Sequence, residues 1–265
     1  MHVAVFGLGE AGALFAADLC AAGIEVSAFD PAPMPTPDGV TRCADPATTV
    51  ASTDIALIIT GAAPAALVFD TIITAVPSAA LVADLSTSAP DVKAQRADRA
   101  AAVGRSFADV ALMAPVPGRG LRTPVLVSGS GAERYAAAFA PLGAPVEWVG
   151  DRAGDASTRK LLRSVVMKGI AAVVIEAVRA AERAGLEDWL WADVVAEFEA
   201  AGAPLLERLL QGTGVHAARR VDEMEATSEM LESLDIEPVM TRATVESLRR
   251  AADHGVPAVP GQAKS

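Results

Sequence analysis

The sequence predicts an α/β fold, a doubly wound, mostly parallel sheet followed by an all-helical domain. Three observations predict it. From His2 to about Gly150, apolar runs of strand length alternate with helical patterns. The first run, Val3-Ala4-Val5-Phe6, stops at the cluster Gly7-Leu8-Gly9-Glu10-Ala11-Gly12, and an alanine-rich helical pattern follows at once. After Gly150 no strand pattern is visible, and helical segments continue to about Ala252. The expected division is therefore residues 1–150 for the sheet domain and 151–265 for the helical one.

The glycine cluster has the spacing G-x-G-x-x-G at a strand-to-helix turn, the context in which that spacing has a mechanism. Gly7 permits the tight turn, Gly9 lets the backbone approach a pyrophosphate, and Gly12 lets the helix pack close to the strand. The helix N-terminus then presents free N–H groups and partial positive charge to phosphates. A second strand, Ile24-Glu25-Val26-Ser27-Ala28-Phe29, closes on Asp30 about twenty residues on, where a ribose-binding carboxylate is expected. A plain glycine turn in an α/β protein is the competing reading. The pattern predicts a Rossmann-type dinucleotide-binding domain with Gly7, Leu8, Gly9, Glu10, Ala11, Gly12 and Asp30 at the cofactor. Asp30 would repel a 2′-phosphate, and Pro31 and Ala32 offer no adjacent arginine, so NAD is expected over NADP. Arg42 can still fold back from the loop, which keeps NADP open.

The remaining elements follow in order. The prolines of Pro31-Ala32-Pro33-Met34-Pro35-Thr36-Pro37 rule out helix or inner strand, leaving a surface loop at the adenosine end. Asp54 to Thr60 reads as strand three, Leu81 to Asp84 as strand four and Phe107 to Met113 as strand five. Pro124 to Ser128 and Pro145 to Val149 are two further short strands, with the helix Ala132 to Phe139 between them. Ligands on such sheets sit beyond the carboxyl ends of the strands. That rule directs attention to Thr60 and Gly61 for the cofactor, and to Ser86 and Ala114 onward for a substrate. In the second domain, one proline-free helix runs from about Asp155 to Ala184. The later helical segments are separated by Gly185, Gly202-Ala203-Pro204, Gly212-Thr213-Gly214 and Ile236-Glu237-Pro238, and the tail from Val256 to Ser265 is expected to fray.

Composition narrows the function classes. The chain has 265 residues, 52% of them hydrophobic, enough for a substantial core. The mean hydropathy of +0.35 owes much to alanine. Lys168 and Glu176 interrupt the most apolar helical stretch, so no membrane span is expected. Met1 leads straight into the first strand, so no signal peptide is expected. Cys20 and Cys43 lack metal or redox spacing and suggest reduced thiols in a cytoplasm, with no metal site. A net charge of −11 argues against nucleic acid as a partner.

Three stretches lie where a substrate should meet the cofactor. In Asp84-Leu85-Ser86-Thr87-Ser88-Ala89-Pro90, Ser86 and Thr87 can hydrogen-bond a carboxylate, or simply cap the next helix. In Met113-Ala114-Pro115-Val116-Pro117-Gly118-Arg119-Gly120, Gly118 exposes a backbone N–H and Arg119 can clamp an anion, or be a solvated loop residue. On the long helix, Lys160, Ser164 and Lys168 share a face at four-residue spacing, with Arg163 beside them. Apolar neighbours from Leu161 to Ile170 and a positively charged nicotinamide would lower a lysine's pKa there, which suits general-base work on an alcohol. The alternative is a lysine snorkelling to water.

Taken together these stretches resemble the β-hydroxyacid dehydrogenase family, relatives of 6-phosphogluconate and 3-hydroxyisobutyrate dehydrogenases. Gly7-Leu8-Gly9-Glu10-Ala11-Gly12 is similar to that family's G-L-G-x-M-G, and Asp84-Leu85-Ser86-Thr87-Ser88-Ala89-Pro90 to its D-x-S-T-x-x-P. Ala114-Pro115-Val116-Pro117-Gly118-Arg119 resembles A-P-V-S-G-G. The helix from Gly154 resembles G-x-G-x-x-x-K-x-x-N-N, which puts Lys160 on the family's catalytic lysine. Pro117 replaces a serine, Arg119 a glycine, and Arg163 and Ser164 the paired asparagines, so the resemblance implies a different substrate pocket. His216 to Met224 looks like the branch with an uncharacterised helical C-terminal domain. There His216, Arg220 and Glu223 can share a face toward the cleft, while Arg219 and Glu223 can equally be a surface i,i+4 pair.

The resemblance implies an NAD(P)-dependent oxidoreductase acting on a hydroxyl-bearing carbon of a small anionic substrate. Lys160 would be the general acid/base. Ser86, Thr87 and Gly118 would hold the carboxylate, and Arg119, Arg163, Ser164 and Lys168 would shape the pocket. An imine reductase on the same scaffold is one alternative, opposed by a lysine at 160, and a non-catalytic dinucleotide-binding protein is another. The alanine-rich helix from Lys160 to Ala184 suits a homodimer core.

Overall fold

The computed structural model describes residues 1–200 and 202–260. The chain divides into two compact units, Met1–Arg163 and Ser164–Ser265.

The first unit is built on an eight-stranded sheet. Its elements are β1 (His2–Phe6), α1 (Glu10–Ala21), β2 (Glu25–Phe29), β3 (Thr41–Arg42), α2 (Pro46–Val50), β4 (Ile55–Ile58), α3 (Ala62–Ile72), β5 (Leu81–Asp84), α4 (Pro90–Ala102), β6 (Ser106–Leu112), β7 (Val125–Ser128), α5 (Ala132–Phe139) and β8 (Val146–Gly150), followed by the start of α6 (Asp155–Ala184). The strand order is β3-β2-β1-β4-β5-β6-β7-β8. All pairings are parallel except β6 with β7. Successive strands leave β1 first toward β2 and then, from β4 onward, in the opposite direction. The switch therefore lies between β1 and β4, and it opens a crevice at their carboxyl ends.

Period-two alternation sends neighbouring side chains to opposite faces. Val3, Val5, Leu57 and Ala83 pack with Phe15 and Leu19 of α1 and Tyr135 and Phe139 of α5. Ala4, Phe6, Ile58 and Val82 pack with Phe69 and Ile72 of α3, where Phe69 meets Phe107 edge-on at 5.9 Å. With both faces covered, the strands read as continuous apolar runs, which is why they are visible in the sequence. β3 and α2 are not: two and five residues are too short to show a period. The side chain of Asp45 starts α2 by accepting the Thr48 N–H at 2.9 Å.

The second unit holds the rest of α6 with α7 (Glu187–Glu199), α8 (Gly202–Ser233) and α9 (Val239–His254). The break expected at Gly212-Thr213-Gly214 is absent. α8 runs through it and kinks instead at His216, where φ is −121° and ψ is 19°. Helical glycine costs only about 1 kcal/mol, and here both glycines serve packing. A Cβ on Gly214 would lie 2.8 Å from Val256, and one on Gly212 would lie 3.2 Å from the Arg220 guanidinium. Val256 is thus packed where the tail was expected to fray, and residues 261–265 of that tail lie outside the described residues. Glu176 of α6 starts α9 by accepting the N–H groups of Met240 and Thr241 at 2.7 and 2.8 Å. Among the described residues, no helix is long and apolar enough to cross a membrane.

Candidate active site

At the crevice, the turn after β1 is set by its glycines. Gly7 has φ +100°, and a Cβ there would meet the Ile59 carbonyl oxygen at 2.4 Å. A Cβ on Gly12 would fall 1.8 Å from the Gly7 carbonyl oxygen, so α1 can leave the strand this closely only with glycine. Gly9 faces open space, with nothing within 4 Å of its Cβ position. It is the N-cap of α1, and no side chain caps that terminus. The open face and the free helix N-terminus together fit a pyrophosphate. Asp30, at the end of β2, accepts the Leu8 N–H at 2.7 Å and the Ala32 N–H at 2.8 Å.

A cleft of about 590 Å³ extends from this turn. Gly7, Gly9, Glu10, Ala11, Asp30, Thr60 and Gly61 line one part, and Leu85, Thr87, Leu112 and Lys160 the other. Leu8 and Gly12 do not line it: Leu8 is buried in the core and Gly12 packs under Gly7. Arg42 folds back from β3, as its position allowed. Its guanidinium donates to the carbonyls of Asp30 at 2.8 Å, Ala32 at 2.6 Å and Met34.

At the other end, Lys160 Nζ donates to Thr87 Oγ1 at 3.0 Å. Burial first, and then the like charge of Lys93, hold the Lys160 pKa below the usual lysine range, while Asp109 pulls the other way. The apolar neighbours on its own helix do not supply that burial, since Leu162, Val165, Val166 and Ile170 are exposed. Ser86 is buried, not presented to the cleft. Its N–H goes to Asp84 Oδ1 at 2.9 Å and its hydroxyl pairs with Ser88 at 2.8 Å. Gly118 (φ +77°) and Arg119 sit exposed on the turn after β6, outside the lining of the cleft, and Arg119 donates to the Pro115 carbonyl at 3.4 Å. Arg163 reaches the same turn, donating to the Met113 carbonyl at 3.1 Å. Ser164 and Lys168 follow on α6 in the second unit. In α8, Arg219 and Glu223 form the surface i,i+4 pair at 3.3 Å, and Arg220 bonds Thr213 across the kink at His216.

Sequence reasoning missed a buried ionic cluster behind Thr87 and Lys160. Lys93 of α4 is fully buried, 3.1 Å from Asp84 Oδ1 and 3.3 Å from Asp109 Oδ1, and it donates to the Asp84 carbonyl at 2.6 Å. Arg96, one turn on, pairs with Asp84 Oδ2. Burial works against a charged Asp84, but Lys93, the bonds from Ser86 and Arg96 outweigh it and hold its carboxyl below the usual range. Asp109 accepts the N–H groups of Gly154 and Ser157, both at 3.0 Å, and the Ser157 hydroxyl at 2.7 Å. It therefore caps the start of α6 from outside the helix. The available signal was an acid inside the apolar run Phe107-Ala108-Asp109-Val110-Ala111, opposite Asp84 in the strand register.

The comparisons with known proteins join this geometry to a family. Residues 2–150 match the family described as the NAD binding domain of 6-phosphogluconate dehydrogenase. The chain belongs to that family. Residues 2–150 are thus an NAD-binding domain of the dehydrogenase-like class. Residues 181–251 match a second family, described as a domain of unknown function (DUF1932). A conserved hypothetical protein from Sinorhizobium meliloti 1021 is 30% identical, with 100% of this chain and 91% of that chain covered and a TM-score of 0.58. An imine reductase from Streptomyces aurantiacus is 20% identical over 97% of this chain and 96% of its own, with a TM-score of 0.80, a likeness of fold. An uncharacterised 28.5 kDa protein in the 7S RNA 5′ region of Methanothermus fervidus is 32% identical over 103 residues. That match spans 38% of this chain and 41% of the length of that relative.

Proposed function

We propose that the protein is an oxidoreductase favouring NAD, which acts on the hydroxyl-bearing carbon of a β-hydroxyacid or sugar-acid-like anion. When bound, the nicotinamide accepts or supplies hydride. The observation that carries the reading is the placement of Lys160 Nζ in the cleft, 3.0 Å from Thr87 Oγ1 and with a lowered pKa. A neutral Lys160 takes the hydroxyl proton during oxidation, and its ammonium returns that proton in the reverse direction. Thr87 holds the lysine in place and offers its hydroxyl to the substrate. Arg119 and Arg163 each bond a backbone carbonyl of the turn from Met113 to Arg119, Pro115 and Met113 respectively. Both keep donors for a carboxylate.

The imine reductase fold neighbour keeps a second reading in view, in which the Lys160 ammonium gives its proton to the nitrogen of an imine as hydride reaches the imine carbon, leaving an amine. Two further parts of the reading are a homodimer formed through the exposed apolar face of α6 and α7, and a cytoplasmic location, supported by two free cysteines.

The deciding experiment combines fluorescence titration of NADH and NADPH with absorbance assays over hydroxyacids, sugar acids and cyclic imines. Turnover of a hydroxyacid, reduced at least ~100-fold in Lys160→Ala with NADH binding intact, is the expected result. Turnover of imines alone would replace the substrate class. NADH binding without turnover of any member would favour a binding protein, and undiminished turnover in Lys160→Ala would remove the lysine from the mechanism.

A further inference from the structure

The cluster of Asp84, Lys93, Arg96 and Asp109 is buried, fully paired and used by no step above. Its place in the fold is specific. Asp84 ends β5 and accepts the Ser86 N–H, so it fixes the segment that carries Thr87. Asp109 lies beside it in β6 and accepts the N–H groups of Gly154 and Ser157 at the start of α6, the helix that carries Lys160. Lys93 is the group that touches both carboxylates. Two neighbouring buried carboxylates repel each other, and an ammonium between them turns that repulsion into attraction. An apolar residue at 93 would fill the space without supplying that tie.

We propose that Lys93 is a positioning residue: its buried ammonium locks the Thr87 segment to the start of α6, setting Lys160 against Thr87. The inference rests on the assignment of Lys160 as the acid/base group. Lys93 acts through Asp84 and Asp109, and its own charge also acts on Lys160. The charged groups buried behind Lys160 are Lys93 and Arg96 on α4, Asp84 on β5 and Asp109 on β6, with Glu10 and Asp30 lining the same cleft and Arg159 and Arg163 beside it on α6. Lys93 and Asp109 push the Lys160 proton equilibrium in opposite directions. Replacing either residue should therefore shift the equilibrium with opposite sign, which loss of packing alone would not do.

The test uses the whole chain of 265 residues and needs no substrate. Trace acetic anhydride acylates only neutral amines, and mass spectrometry reads acylation of Lys160 against the exposed Lys168 as internal reference across pH. In Lys93→Met the Lys160 midpoint should rise, and in Asp109→Asn it should fall. Each shift should be on the order of half a pH unit, about threefold in the neutral fraction. Circular dichroism checks the fold of each variant, and if Lys93→Met does not fold, Asp109→Asn decides. An unchanged midpoint in the folded variants, or shifts of the same sign, would overturn the proposal. Failure of the acid/base assignment shows separately, as opposite shifts in labelling alongside full turnover in Lys160→Ala.

Discussion

Asp30 Oδ2 accepts the backbone N–H of Leu8 at 2.7 Å, fastening the end of β2 to the glycine turn that follows β1. Its other oxygen accepts from Ala32, so the carboxylate is fixed at both ends. A carboxylate has about four acceptor directions. Ribose hydroxyls can therefore still donate to Asp30, whereas a 2′-phosphate meets a fixed negative charge. The guanidinium of Arg42 is directed at the carbonyls of Asp30, Ala32 and Met34. NADH should bind at least ~10-fold more tightly than NADPH, roughly 1.4 kcal/mol. Asp30→Ser should narrow that gap. Fluorescence titration of both nucleotides measures it, and a preference for NADPH would mean that Arg42 turns from the carbonyls to the phosphate.

The glycines of the turn separate folding from binding. Gly12→Ala drives a Cβ to within 1.8 Å of the Gly7 carbonyl oxygen. This should lower stability by about 1–3 kcal/mol or more, as overpacking does. Gly9→Ala meets nothing within 4 Å, and its backbone is extended, which alanine tolerates. Its effect on stability should stay near a few tenths of a kcal/mol, the usual scale for glycine against alanine at an N-cap. Yet NADH binding should weaken at least ~10-fold, because the methyl occupies the side left open for phosphate. Thermal melts and titrations of the two variants would give opposite rankings. Equal binding losses in both would refute the placement of the pyrophosphate at Gly9.

The lowered pKa of Lys160 sets the sign of the pH dependence. Oxidation needs the neutral amine, so its rate should rise with pH through the Lys160 midpoint. Reduction needs the ammonium and should fall through the same midpoint. Because burial and Lys93 lower that midpoint, both limbs should lie below the ordinary lysine value of about 10.4. Rates measured in both directions over about five pH units, from roughly pH 6 to 11, check it. A limb at the ordinary lysine value would leave Lys160 solvated during catalysis.

The strands were legible because both faces of the sheet are covered, so Val3–Phe6 of β1, all of β4 and Leu81–Ala83 of β5 are unbroken apolar runs. The glycine turn at the crevice was legible because Gly7 and Gly12 meet backbone requirements that side chains would violate. Lys160 was legible through its helical spacing, although its burial was assigned to the wrong neighbours. What stayed hidden depends on tertiary approach. Nothing local shows that Lys93 turns inward to meet Asp84 and Asp109, since a lysine on an amphipathic helix usually marks the solvent face. Ser86 was read as a ligand group for the same reason: its hydroxyl is taken by Ser88, a neighbour brought round by the turn. The glycines at 212 and 214 read as breakers because their packing partners, Arg220 and Val256, come from other turns of the chain.

The apolar surface of the second unit leads to the last prediction. Trp189 is 62% exposed, Trp191 60% and Phe198 52%, all on α7. Ile170, Val173, Val174 and Ala177 of α6 form with Trp191 and Phe198 an apolar groove of about 340 Å³. Soluble monomers rarely leave contiguous apolar patches of more than a few hundred Å² in water. Large aromatics supply much of the energy in buried interfaces. A second copy of the chain is the simplest cover, so light scattering should give twice the 27.1 kDa chain mass. Trp191→Glu would bury a charge at the centre of that contact. It should shift the equilibrium to the monomer by at least ~100-fold in dissociation constant, roughly 2.7 kcal/mol, while NADH binding in the first unit stays intact. A monomeric wild-type protein would sink the dimer, and would leave this face to a partner of another kind.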